Sequence, residues 1–256
     1  MSERSPSGNE SLTYSAAVDV IGPQLHGLPL VLVGGQALNY WVEKYRRAVP
    51  ELEAEWPFTS EDVDFYGTQR DAKELARRLH AKVSIPEIGD ATPNSGVLLV
   101  PLSEGHTLRI DILWSVKGIA DDKLVKTALP AVDRRSSSEI KIMHPVLCMF
   151  SRAHNVIDLP GDYDTPHGLK QLRGSILCAR EFIRERLIEN KVRDALDLVE
   201  LVFGFSLMPT SLRLWAEKSI DTFAAVELRA EYGSKFAELR HTQMVAQLNA
   251  ARAKLR

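Results

Sequence analysis

The chain is poor in the features that most readily assign a class. It has two cysteines, Cys148 and Cys178. Both sit in apolar, helix-like surroundings, which predicts buried thiols and excludes a disulfide framework. An excess of one charge is also lacking. The formal net charge is −2, so no global field steers the chain to nucleic acid or to a membrane, although a local basic groove stays open. No apolar run approaches the length that crosses a bilayer. The first ten residues, Met1 to Glu10, are polar and lack the apolar stretch of a signal peptide. They are read as part of a disordered tail over 1–12 on a cytoplasmic protein without a membrane partner. The seven histidines show no zinc spacing. No Ser-His-Asp set follows from order or spacing, and there is no internal repeat.

What is present is enough chain, 256 residues, for a real core and one or two domains. Ser11 to His26 has helical spacing interrupted by Gly22-Pro23. Leu28 to Val33 is a short, partly β-branched apolar run ended by glycines, which predicts a buried strand. Helical spacing resumes from Gln36 to Arg47, and Ala48 to Pro57 reads as a loop or insertion. Gln69 to Leu79 is an amphipathic helix and Lys82 to Ile85 a strand. Pro86 to Ser95 has loop composition. Gly96 to Leu102 and Thr107 to Leu113 read as a hairpin around Ser103-Glu104-Gly105-His106. Ile119 to Ala128 reads as a helix, Arg134 to Glu139 as a polar loop, and Ile140 to Met143 as a last strand. Beyond His144 only helix patterns remain: Pro145 to Val156, Gly168 to Glu189, Lys191 to Phe203, Ser211 to Glu217, and Thr222 to the C-terminus. Pro145 suits a first helical position. The expectation is an α/β (α+β) chain with a mixed-sheet domain over 13–143 and an all-helical domain over 144–256.

Three phrases carry chemistry. In Asp62-Val63-Asp64 the two carboxylates share one face of a strand. They repel unless a cation compensates, and Mg²⁺ prefers such oxygen ligands. Asp111 interrupts an apolar run, where an unpaired charge is costly. Three acids from two strands can hold two ions roughly 4 Å apart, as in two-metal phosphoryl chemistry. Plainer readings stay open: a solvated acidic edge strand for Asp62 and Asp64, and a salt bridge from Asp111 to Arg109. Gly34-Gly35 follows a strand and opens a helix, so backbone N–H groups there can approach phosphate oxygens. The pair matches neither a P-loop nor the three-glycine dinucleotide fingerprint, and a tight turn is the plainer reading. Ser60, two residues before Asp62, is either a phosphate donor or a strand-start serine.

In combination these phrases resemble the nucleotidyltransferase superfamily, the DNA polymerase beta-like fold. Its pattern is a strand, a Gly-Gly turn opening a helix, a strand with D-x-D, and a third acid on a later strand. Val33-Gly34-Gly35-Gln36-Ala37-Leu38 and Ser60-Glu61-Asp62-Val63-Asp64-Phe65 are most similar to bacterial AbiEii-type proteins, and the resemblance covers Leu28 to about Met143. It implies a mixed sheet with flanking helices, a Mg²⁺ (or Mn²⁺) cofactor and a nucleoside triphosphate substrate, ATP foremost. It further implies Asp62, Asp64 and Asp111 as catalytic metal ligands, with Gly34, Gly35 and Ser60 on the nucleotide. Two departures stand out. The stretch between Gly35 and Asp62 is longer than usual, with Ala48 to Pro57 the excess. The family's later helix lysine is replaced by Ser151, followed by Arg152, which can clamp phosphate bidentately or be an ordinary helix-surface arginine.

The function so implied is transfer of an NMP group to a hydroxyl acceptor, with a toxin–antitoxin or defence setting and a partner protein as the further expectation. From Lys170 to Arg193 basic residues alternate with Glu181, Glu185 and Glu189, and Phe182 is the single aromatic. Long nucleic acid asks for a basic stripe with aromatic platforms. The acceptor expected is therefore a protein side chain, a small hydroxylated molecule or a tRNA end. Rival readings are a D-x-D glycosyltransferase, disfavoured by the short chain and early glycine turn, and a haloacid-type phosphatase, disfavoured by the residues after Asp64. The non-enzyme rival is a degenerate transferase fold that binds without catalysing.

Overall fold

A computed structural model describes residues 11–87, 89–102, 106–132, 139–233 and 235–255. The expected tail over 1–12 lies mostly outside them, as do Ser103 to Gly105 of the hairpin loop and most of the Arg134 to Glu139 loop. The chain divides into two compact units, one of residues up to 46 with 53–144, the other of 47–52 with 145–256.

In the first unit α1 (Tyr14–Ile21) is capped by Thr13, whose hydroxyl accepts from the Ala16 N–H, and buries Tyr14, Ala17, Val18 and Ile21. That i, i+3, i+4, i+7 spacing is one helical face. At Gly22-Pro23 the helix tightens into a 3₁₀ turn. The strand expected over Leu28 to Val33 is only β1 (Val31–Leu32). Pro29 has no N–H to give a ladder, and the Leu28 N–H closes a turn on Leu25 O. α2 (Gly34–Tyr45) starts at the glycine pair itself. The stretch read as a loop, Ala48 to Pro57, contains α3 (Pro50–Ala54), whose residues 50–52 belong to the second unit. Pro50 suits a first helical position, and Glu-Leu-Glu-Ala are good helix formers.

β2 (Asp62–Tyr66) follows. Next comes α4 (Gln69–Leu79), with a reciprocal Thr68–Asp71 capping box and His80 left-handed at its end. β3 (Lys82–Ser84), β4 (Asn94–Pro101) and β5 (Thr107–Leu113) make antiparallel neighbours. After α5 (Asp121–Thr127) the unit ends with β6 (Leu129–Val132), which sequence reading missed, and β7 (Glu139–Ile142). The seven strands form one mixed sheet in the order β3-β4-β5-β2-β1-β7-β6. β2 runs parallel to β5 and β1 parallel to β7, while β1 and β2 are antiparallel.

Alternation along β2 and β5 decides what the sheet shows. Val63, Phe65, Ile110 and Ile112 are buried, with α2 packed on β2 and α4 on β4. Asp62, Asp64 and Arg109, on the other face, keep partial exposure, while Asp111 there is buried.

The second unit holds α6 (Pro145–Asp158), α7 (Pro160–Tyr163), α8 (Pro166–Ile188), α9 (Val192–Ser206) and α10 (Pro209–Lys218). Each of α6, α7, α8 and α10 opens on proline, which needs no N–H partner there. The long helix expected from Thr222 onward is broken. A 3₁₀ turn (Thr222–Ala225), another (Ala230–Tyr232) and a π segment (Phe236–His241) precede α11 (Thr242–Ala253). Gly233 has a left-handed φ of 84°, outside the helical range. Phe150 and Phe205 stack at 3.9 Å in this core. Cys148 and Cys178 are buried, free thiols. Burial pushes Cys148 up to about 12, so neither the spacing nor the chemistry suggests a nucleophile. Among the described residues no single helix is long and apolar enough to cross a membrane.

Candidate metal centre

The parallel pairing of β2 with β5 sets Asp64 beside Asp111 and Asp62 beside Arg109. Adjacent strands are about 4.8 Å apart, so register alone brings a third carboxylate to the D-x-D pair. One ligand oxygen from each of Asp62, Asp64 and Asp111 lies within 4.8 Å of the other two. Two unit charges at that separation repel by about 3 kcal/mol at an effective dielectric constant near 20, before screening by water at the half-exposed Asp62 and Asp64. The four buried apolar neighbours on the reverse face contribute about 1.5–3 kcal/mol each. The strands are therefore held by the core, and the carboxylates are tolerated rather than stabilising.

Such a cluster is a set of hard oxygen donors able to bind a metal ion. No family model, curated protein or solved structure matches this chain. The local chemistry therefore has to be read from its own residues.

Gly34 adopts a left-handed φ of 62°. A Cβ built there would lie 2.7 Å from the Asp64 Cγ and overlap its carboxylate. Only glycine serves both demands, backbone sign and close approach. The Val33 N–H donates to Asp64 O at 2.9 Å, which ties the glycine turn to the acidic strand. Val33 makes no side-chain cap at the start of α2, so the positive end of the helix opens beside the carboxylates. Gly35 is buried in that first turn.

Ser60 Oγ donates to Asp62 Oδ1 at 3.1 Å and so orients this carboxylate. Leu12 pairs with Ser60 through two backbone bonds, Leu12 N–H to Ser60 O at 2.9 Å and Ser60 N–H to Leu12 O at 3.0 Å. Gln36 Nε2, in the first turn of α2, adds a bond to the same Leu12 O at 3.0 Å. Nothing in the sequence pattern around Leu12 signals this pairing.

Arg109 completes the cluster. Its Nε donates to Asp111 Oδ1 at 2.9 Å, with the Asp111 side chain 10% and the Arg109 side chain 43% exposed. The ion pair anticipated for Asp111 exists, and it exists together with the three-acid cluster. Burial pushes the Asp111 carboxyl above its ordinary range; the Arg109 bond pulls it back, and Asp62 pushes it further up. The bond to Asp111 raises the Arg109 guanidinium, with Asp62 and Asp64 adding to it.

Five of the expected site residues, Gly34, Ser60, Asp62, Asp64 and Asp111, thus converge in the first unit with Gly35 adjoining. Ser151 and Arg152 lie on α6 of the second unit, both buried. Arg152 Nη1 donates to Gln171 Oε1 at 2.8 Å, and its guanidinium lies 5.7 Å from the centre of the Tyr163 ring. Its Nε is buried without a hydrogen-bond partner. It is a core arginine, not the surface one of the plainer reading.

Proposed function

We propose that this chain is a metal-dependent nucleotidyltransferase of the polymerase beta-like class, which moves an NMP group from a nucleoside triphosphate, ATP foremost, to a hydroxyl. One observation carries the reading: three carboxylates from two parallel-paired strands meet within 4.8 Å against the glycine that opens α2. The donor set fits Mg²⁺ or Mn²⁺, being all oxygen, anionic and partly open to solvent. A divalent ion bound there supplies positive charge for a phosphate and acidifies the attacking hydroxyl.

Asp62, Asp64 and Asp111 would hold the ion, with Ser60 Oγ donating to Asp62 Oδ1. Asp111 is the third carboxylate of the set, placed beside Asp64 by the strand register and bonded to Arg109. The first-turn N–H groups at Gly34 and Gly35 receive phosphate oxygens. Arg109 offsets the surplus negative charge. Ser151 and Arg152, which the resemblance implies as nucleotide-binding, lie buried on α6 of the second unit, where Arg152 Nε has no hydrogen-bond partner. The acceptor is not long nucleic acid. Along α8 Arg184 pairs with Glu181 at 2.9 Å and Arg186 with Glu189 at 3.2 Å, and Lys191 meets Glu189 at 2.9 Å, so the basic charge is offset in place. A cytoplasmic setting, with a toxin–antitoxin or defence role and a protein partner, completes the proposal.

A second reading, a nucleotide-binding module without catalysis, is favoured by Ser151 standing where a lysine is expected. The deciding measurement is a thermal melt with Mg²⁺ and each NTP. A ligand at about 100 times its Kd stabilises by about 2.7 kcal/mol. The wild type should show such a shift and Asp64→Asn should lose most of it. An equal shift in the variant removes Asp64 from the site. Binding without pyrophosphate release under any acceptor condition favours the second reading.

A further inference from the structure

Sheet register aligns one side chain from each of four neighbouring strands into a row: Asp62 on β2, Arg109 on β5, Leu99 on β4 and Lys82 on β3. The next row is Asp64, Asp111, Val97 and Ser84. Side chains two residues apart on a strand share a face, so both rows lie on the face of the carboxylates. The alternate positions Leu98, Val100 and Ile110 are buried on the reverse face. The face of the rows is open. Leu99 is 46% exposed, Lys82 and Ser84 are exposed, and Val97 and Arg109 are half-buried. Gly34, at the end of β1, meets Asp64 from the other side of β2. Its first-turn N–H groups, the proposed phosphate donors, therefore lie to one side of the carboxylates. The open rows of β5, β4 and β3 lie to the other, where an acceptor has room.

Arg109 supplies the recognition chemistry on that side. Its Nε is bonded to Asp111, and among the described residues the Nη1 and Nη2 groups have no hydrogen-bond partner, with the side chain 43% exposed. We infer, resting on the transferase reading above, that the acceptor is a small hydroxylated molecule carrying an oxyanion, which the Arg109 Nη groups receive while its apolar part lies on Leu99 and Val97. A guanidinium offers paired donors that match a phosphate or a carboxylate. Adjacent strands are about 4.8 Å apart, so the anion sits about one strand spacing from the Asp62 row position where the hydroxyl reacts. The open rows end at the edge strand β3, three spacings or about 14 Å from β2, which suits a small molecule. A divalent ion and Arg109 together offset the three carboxylates, so an anion beside them is not repelled. The acceptor oxygen forms a bond to the α-phosphorus of the nucleoside triphosphate. The bond from that phosphorus to the bridging oxygen breaks, pyrophosphate leaves with the electron pair, and the hydroxyl proton goes to solvent.

The test uses the full-length protein with Mg²⁺ and an ATP analogue whose α–β bridge is a methylene, so that it binds without transfer. Glycerol 3-phosphate, glycerate and glycerol are added as probes over one concentration series, and the melting temperature is followed. An anionic probe should add a further shift and glycerol should not; the larger of the two anion shifts identifies phosphate or carboxylate as the group. Arg109→Lys keeps a cation for Asp111 but loses the paired Nη donors. It should weaken the anion at least tenfold while the shift with Mg²⁺ and the analogue persists. Leu99→Glu, at an exposed position, sets a carboxylate opposite Arg109 and should weaken the anion at least tenfold as well. With cleavable ATP labelled at the α-phosphate, the better-bound anion should take label at least tenfold faster than glycerol. No added shift from either anion, an anion shift that survives both variants, or label passing equally to glycerol overturns the anionic acceptor and leaves the transferase reading standing. Absence of any shift with Mg²⁺ and the analogue overturns both.

Discussion

Replacing Arg109 by methionine keeps much of the side-chain volume and removes the cation whose Nε donates to Asp111. In the wild type the Nε–Oδ1 bond is 2.9 Å and the Asp111 side chain is 10% exposed. Leaving a buried acceptor unsatisfied costs about 1–3 kcal/mol, more when it is charged. Repulsion from the neighbouring carboxylates adds to this, reduced by solvent at Asp62 and Asp64. We expect Arg109→Met to lose about 2 kcal/mol in EDTA at neutral pH, or about 4–8 °C in Tm for a protein of this size. Two further outcomes make the expectation specific. Mg²⁺ should restore more stability to the variant than it adds to the wild type, because it supplies the missing positive charge. The loss should also fade toward acid pH, because a protonated Asp111 no longer needs a cation. Melts over a pH series with EDTA or Mg²⁺ check all three. A variant as stable as wild type in EDTA, with the same Mg²⁺ response, would refute the account of Arg109 as resident counter-charge.

Gly34→Ala places a Cβ against the Asp64 carboxylate at a left-handed φ. The backbone alone costs about 1–2 kcal/mol, and the displaced carboxylate should weaken Mg²⁺ binding by tenfold or more in a calorimetric titration. Unchanged affinity would mean that the close approach is incidental. Asp111→Asn tests the raised carboxyl. A carboxyl whose folded pKa lies above its unfolded value contributes stability that is fully present below the unfolded value and is lost as pH rises through the folded one. In EDTA, the stability of Asp111→Asn relative to wild type should therefore climb as pH rises from about 3 to 7, as measured by melts. A flat or falling difference would contradict burial as the dominant cause.

The sequence by itself determined most of the elements and most of the residues of the carboxylate cluster. Period-two alternation in Asp62 to Tyr66 and Thr107 to Leu113 told which side chains face the core, and a charge inside an apolar strand marked Asp111. Gly34-Gly35 marked a strand-to-helix turn, and prolines marked the starts of helices. These signals are local, written within a few residues of the feature they announce. Short β1 and missed β6 show the limit. A strand of two to four residues exists because neighbours supply its hydrogen bonds, and those neighbours are distant in sequence. Only the tertiary structure decided that β2 lies parallel to β5 in the register that sets Asp64 beside Asp111. It also decided that Arg109 spends its Nε on Asp111, that Gly34 is glycine because of Asp64, and that Leu12 is bound at the rim of the site. Register and close approach are properties of pairs, settled by which buried faces match across the sheet, and no single stretch of chain encodes them.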